Sequence, residues 1–140
     1  EALLRNLIGS YIINRESINH FDDEERYEIV RTQSSPKVWK TFENIVAQEA
    51  SIYGNSNITR EIKVINIAKW KQGYANAEIS VSLYALGVLQ SQKRYRITLT
   101  YKFNTLDIEV YYDCHVFTVH RVYSGQNFYI YHTVSYRIHP

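Results

Sequence analysis

A chain of 140 residues suits one domain built around one core, 1–140. Its formal charge of only +2, with cations spread along the chain apart from Lys93-Arg94-Tyr95-Arg96, argues against a phosphate-tracking surface as its main purpose. The lone cysteine, Cys114, excludes an internal disulfide, and no apolar run reaches membrane-spanning length.

Leu4, Leu7, Ile8, Tyr11 and Ile12 recur at helical spacing and predict a first amphipathic helix from the start of the chain to about Ser17. Asp22 followed three residues later by Glu25 has capping-box spacing, and the acidic run 22–25 opposes the positive end of a helix dipole. A second helix through Tyr27 and Val30 is therefore expected. That run lacks the glycine and spaced oxygens of a calcium loop. Ser35 as cap and Pro36 at the first helical position then start a third helix. Val38, Phe42, Ile45 and Val46 mark its buried stripe, and it ends near Gln48.

A loop over 53–57 leads to a β-branched strand from Ile58 to Lys71, where the apolar parity shifts between Val64 and Ile65, the mark of a bulge. Next comes the clearest pattern in the chain. Ala75, Ala77, Ile79, Val81, Leu83 and Ala85 share one parity, against Asn76, Glu78, Ser80, Ser82 and Tyr84. Tyr95, Ile97, Leu99, Tyr101 and Phe103 repeat it against Arg94, Arg96, Thr98, Thr100 and Lys102. A strict period of two means a hairpin with one buried face and one wet face. Gln90-Ser91-Gln92-Lys93 reads as its turn, which sets Val81 opposite Leu99. One or two further strands are expected within 106–123, and a last strand alternates through Phe128, Ile130, His132, Val134, Tyr136 and Ile138. Helices followed by an antiparallel sheet make an α+β domain.

Chemistry-bearing patterns are sparse. Cys114 and His115 are neighbours in an extended segment and point to opposite faces, so they form no thiolate–imidazole pair. The five histidines show no paired metal-ligand spacing, and the five glycines form no phosphate loop. No cofactor is indicated. The outward tyrosines and cations, Tyr84, Arg94, Arg96, Tyr129 and Tyr131, form the candidate protein-contact set, since tyrosine beside arginine is what docking surfaces display.

Three stretches together resemble one family: Ile12-Ile13-Asn14-Arg15-Glu16-Ser17, Tyr27-Glu28-Ile29-Val30-Arg31-Thr32-Gln33-Ser34-Ser35-Pro36, and Thr133-Val134-Ser135-Tyr136-Arg137-Ile138-His139-Pro140. In order and spacing they are similar to the periplasmic domain of the VirB-eight component of bacterial type IV secretion systems. The resemblance implies helices on a curved antiparallel sheet, a fold like nuclear transport factor two (cystatin-like). It also implies one transmembrane anchor upstream of Glu1, a location on the periplasmic side of the inner membrane, and a non-catalytic scaffold that docks other channel components. The family's Asn-Pro-x-Gly turn, implicated in self-association, aligns with Asn127-Phe128-Tyr129-Ile130, where only Asn127 survives; a weak homodimer at most is expected. The segment 104–126 exceeds the family's usual connection. The rival reading is a small-ligand binder or enzyme of the same fold. It would need Asp, Glu or His on the core-facing parity of the hairpin, where Ala, Ile, Val, Leu, Tyr and Phe stand instead. A nucleic-acid contact through Arg94, Arg96 and Lys102 is the weakest reading, because three cations on one strand usually form a solvated face.

Overall fold

The computed structural model describes the backbone at 2–71, 73–103, 106–112, 115–122 and 128–138, and the side chains at 2–68, 73–103, 128 and 130. Three helices come first: α1 (Ala2–Glu16), α2 (Asp23–Thr32) and α3 (Pro36–Ala47). A short 3-10 turn at Ile52–Gly54 leads into β1 (Ile58–Lys71), β2 (Tyr74–Ala85) and β3 (Val88–Phe103). Then come β4 (Leu106–Tyr112), β5 (His115–Val122) and β6 (Phe128–Ile138). Strands β1-β2-β3-β6 form one antiparallel sheet in that order, and β4 and β5 pair as a separate two-stranded sheet within the long segment after β3.

The helices cover the odd-numbered face of the central hairpin, as its period of two requires. Leu4, Ile8, Tyr11 and Ile12 of α1, Val30 of α2 and Val38 and Phe42 of α3 enclose Ala75, Ala77, Ile79, Ile97, Leu99 and Tyr101 with Phe128 and Ile130. Gly9 of α1 faces β1, where an added β-carbon would lie 3.4 Å from Ile67 Cδ1, an ordinary contact distance. The expected bulge is present: Ile65 falls between the pairs Val64↔Ile79 and Asn66↔Glu78. Ser35 caps α3, accepting from the Val38 amide at 3.3 Å, with Pro36 in the first turn. Ile45, expected on the buried stripe of α3, is 39% exposed, because it lies at the edge of the stripe, about 100° round the helix from Val46, which packs against the core.

Two expectations are corrected. The hairpin turns at Leu86-Gly87, not at Gln90. Both residues have positive φ, 52° and 78°, the conformation of a two-residue primed turn whose twist matches the strands. Val81 therefore faces Lys93, Leu99 faces Ala75, and Gln90 is the extra residue between the pairs Tyr84↔Leu89 and Leu83↔Ser91. The face assignment survives because the corrected partners share its parity. The Asp22–Glu25 capping box does not form, as Asp22 makes no side-chain cap bond. Its carboxylate accepts from Arg26 Nε at 3.0 Å instead.

Arg26 is 7% exposed and explains why the acidic run is there. Its guanidinium donates to Asn14 O at 3.0 Å and Ser17 O at 2.7 Å, satisfying carbonyls at the end of α1, and pairs with the Asp23 carboxylate. Asp23 in turn accepts the Asn19 amide at 2.8 Å. The closed connection lays Ile18 against β1, with Ile18 N to Arg60 O at 3.1 Å and Arg60 N to Ile18 O at 3.0 Å. Removing one member of a buried ion pair strands the other charge. Arg26→Gln should therefore lower the unfolding free energy by about 3–5 kcal/mol, read from urea midpoints, whereas Arg26→Leu/Asp23→Leu should recover most of that loss.

Candidate docking surface

With the helices on one side, the even-numbered face of β2 and β3 remains open, and the register fixes what it displays. Asn66, Glu78 and Arg96 form one row across β1, β2 and β3, and Lys63, Ser80 and Arg94 form the next. Arg94 Nη2 lies 3.0 Å from Glu78 Oε1, a diagonal pair between neighbouring rows. Thr98 Oγ1 donates to Asn76 Oδ1 at 2.7 Å, and Gln92 Nε2 donates to Ser82 Oγ at 3.1 Å. These cross-strand bonds hold short polar side chains flat against the sheet. Arg96 has no ion-pair partner among the described residues, and Lys63 and Lys102 are exposed. The face is polar, mildly cationic and built on paired strands.

Of the candidate contact residues, Tyr84, Arg94 and Arg96 thus share this face, with Tyr84 half-buried where the hairpin leaves the core. Asn127, Cys114 and the side chains of Tyr129 and Tyr131 lie outside the described residues. Because Glu78 neutralises Arg94, and Glu61 stands opposite Ser82 on the same face, the cations do not make the unbroken stripe that tracks a phosphate backbone. Asp22 and Asp23 of the acidic run turn to Arg26. Among the described residues no cluster of three or more His, Cys, Asp or Glu is placed to hold a metal.

Sequence reading missed a second polar cluster, on the helix side. Arg60 Nε donates to Glu16 O at 2.6 Å and its Nη2 to Tyr53 Oη at 2.6 Å, with the guanidinium 5.1 Å from the Tyr53 ring centroid. Arg60 is polar on the core-facing parity of β1, and that was the available signal. Its neighbours Ile62, Ile79, Val81 and Tyr95 complete a cleft of about 140 Å³ with Glu16.

The sequence model of the VirB8 protein family matches residues 1–111; no curated protein matches by sequence. Solved structures share the fold. A TrwG component of a type IV secretion system from Bartonella birtlesii superposes with a TM-score of 0.80 at 15% identity, over 100% of this chain and 94% of that one. Agrobacterium tumefaciens VirB8 superposes at 0.78 and 12% identity, over 100% and 94% of the two chains. A TraE protein in complex with 4-(1H-pyrrol-1-yl)pyridine-2-carboxylic acid superposes at 0.77 and 14% identity, over 99% and 97%.

Burial raises the Tyr53 hydroxyl above its ordinary value of 10.0, helped by the Glu16 charge and opposed by Arg60; burial likewise raises Tyr11, opposed by its bond to Ser34. A raised folded value means that the folded state holds its proton longer. The associated stability is therefore complete below about pH 10 and lost as pH climbs through the folded values. Stability should fall on alkaline titration above pH 10, with late phenolate transitions in the near-ultraviolet from Tyr11, Tyr53 and Tyr27, which burial raises likewise. Tyr53→Phe should remove one of them.

Proposed function

The chain belongs to the VirB8 protein family, and on that premise we propose that it is a non-catalytic assembly component of a bacterial type IV secretion system. Soluble domains of this family are periplasmic. Here the domain works as a scaffold that docks other channel proteins on its open sheet face. The observation that carries this reading is the division of the sheet. One face is filled by Ala75, Ala77, Ile79, Ile97 and Leu99 under the helices, and the other presents Tyr84, Arg94 and Arg96 on a hydrogen-bonded lattice. The core-facing side leaves only the small cleft beside Arg60 over the hairpin, and a polar face with tyrosine and a cation that has no ion-pair partner among the described residues suits a protein contact. No helix among the described residues is long and apolar enough to cross a membrane.

A second reading is a small aromatic acid held at Arg60, favoured by the pyridine carboxylic acid bound to TraE. The cleft beside Arg60, about 140 Å³, falls below the range of about 300–1,000 Å³ typical of ligand sites. Arg60 is also already engaged by Glu16 and Tyr53. The scaffold reading is therefore preferred.

Arg94→Glu/Arg96→Glu in the full-length protein should abolish substrate transfer in cells lacking the native copy. The melting temperature of the purified domain should change by less than a few degrees. Unimpaired transfer would remove the sheet face as a docking site. Salt-sensitive binding of a single-stranded oligonucleotide, lost in the same variant, would replace a protein partner by nucleic acid.

A further inference from the structure

The strand order leaves β1 at one edge of the four-stranded sheet. At Arg60 its outer side is already paired, because Arg60 exchanges both main-chain bonds with Ile18 and so points its N–H and C=O away from β2. Outward and inward residues alternate along an antiparallel strand, and the register is regular from Ile58↔Ala85 to Val64↔Ile79. Ile62 and Val64 therefore direct their N–H and C=O outward as well. Among the described residues no main-chain group meets them there. Free donors and acceptors in a row on an edge strand match one occupant above others, a second extended chain.

The surroundings of this edge define the chemistry of that chain. A groove of about 350 Å³ runs past the Ile18 bridge to Ile62, lined in part by Ile13, Ser17, Ile18 and Asp22. Ile13 of α1 is 40% exposed on its wall. Ile62 and Val64 carry their side chains on the core-facing parity, so residues set opposite them turn apolar side chains toward α1. Lys63 lies between them on the open face, exposed and without an ion-pair partner among the described residues. It stands in the row of Ser80 and Arg94, and a carboxylate directly across from it is favoured. The bulge at Ile65 breaks the register, so the straight run ends at Val64.

Resting on the scaffold reading, we propose that the outer edge of β1 from Ile62 to Val64 takes a short extended segment of a different protein as an added strand. The segment carries two β-branched apolar residues, opposite Ile62 and Val64, with an acidic residue between them opposite Lys63. Its main chain gives affinity and its alternating side chains give specificity. The protein already makes this pairing with itself, since Ile18 holds the preceding position on the same edge in an antiparallel bridge. The incoming acidic residue extends the row of Lys63, Ser80 and Arg94, which joins the edge to the open face as one surface. A run this short binds weakly in free solution and fills when the partner is held nearby.

The probe is the peptide acetyl-Thr-Val-Glu-Val-Thr-amide, titrated into isotope-labelled protein. The Ile62 and Val64 amide resonances should shift saturably, and their exchange with solvent should slow. Methylating both valine nitrogens of the peptide removes the donors to Ile62 O and Val64 O while keeping every side chain, and should weaken binding at least tenfold. Lysine in place of the peptide's glutamate should weaken it as well. Val64→Pro removes one outward N–H, a change tolerated on edge strands, and should weaken binding with little change in melting temperature. The methylated peptide gives the same reading if that variant does not fold. No shift up to millimolar peptide overturns the proposal, and so does binding that the methylated peptide retains. Shifts of the same amides on concentrating the protein alone would give the edge to a second copy and overturn it too. None of these outcomes bears on transfer by Arg94→Glu/Arg96→Glu, so failure at the edge is distinguishable from failure of the scaffold reading.

Discussion

The Arg26 guanidinium is the contact on which the arrangement of layers depends. Helix α1 ends with carbonyls that lack partners within the helix, and these would be costly to leave buried. Arg26 supplies donors to Asn14 O and Ser17 O, while Asp22 and Asp23 balance its charge. One side chain therefore terminates α1, anchors the start of α2 and shapes the connection between them. That closure, together with the bond from Arg60 Nε to Glu16 O, holds Ile18 in its two-bond bridge to Arg60 on β1.

A second tie works at the opposite edge of the sheet. Ser34, between α2 and α3, bridges to Ile130 of β6, with Ile130 N to Gln33 O at 2.8 Å and Ser35 N to Ile130 O at 2.9 Å. The Tyr11 hydroxyl reaches Ser34 Oγ at 2.8 Å from α1. The helical layer is thus joined by main-chain bonds to both outer strands, β1 and β6, as well as packed on the middle ones. Apolar packing alone tolerates sliding; hydrogen-bonded bridges at both edges fix position along and across the strands. A surface displayed on the far side of such a sheet keeps its spacing, which is what positioned docking requires.

The elements legible in the sequence were those set by one dominant local rule. The period of two through Ala75–Ala85 and Tyr95–Phe103 assigned the buried face, Ser35-Pro36 marked a helix start, and the parity shift at Val64–Ile65 marked the bulge. Errors arose where two rules competed. Gln90–Lys93 is more polar than Leu86-Gly87, so hydrophilicity pointed to the wrong turn, although glycine's access to positive φ decides where the chain reverses. Asp22 had the spacing of a cap and was claimed by a tertiary partner, Arg26, four residues on. The open polar face of the sheet was legible as a parity. The Arg60 cluster was not, because its members Glu16, Tyr53 and Arg60 meet only after α1 has been laid over β1.

The same separation explains how this fold can persist at low sequence identity. What the architecture needs is an alternating hairpin, a helical stripe and a few main-chain ties, and many side chains can supply the first two. The end of the hairpin beyond the core is under a different constraint. From Leu83 to Leu89 the strands project past the helices, and buried positions give way to half-buried and exposed ones. Residues there contribute little to the core, so core packing does not explain why Leu86, Val88 and Leu89 are large and apolar. Polar residues would pair across the hairpin equally well and would remove an aggregation hazard. The paired strands behind the turn hold this apolar tip out, with Leu86 77% exposed at its end.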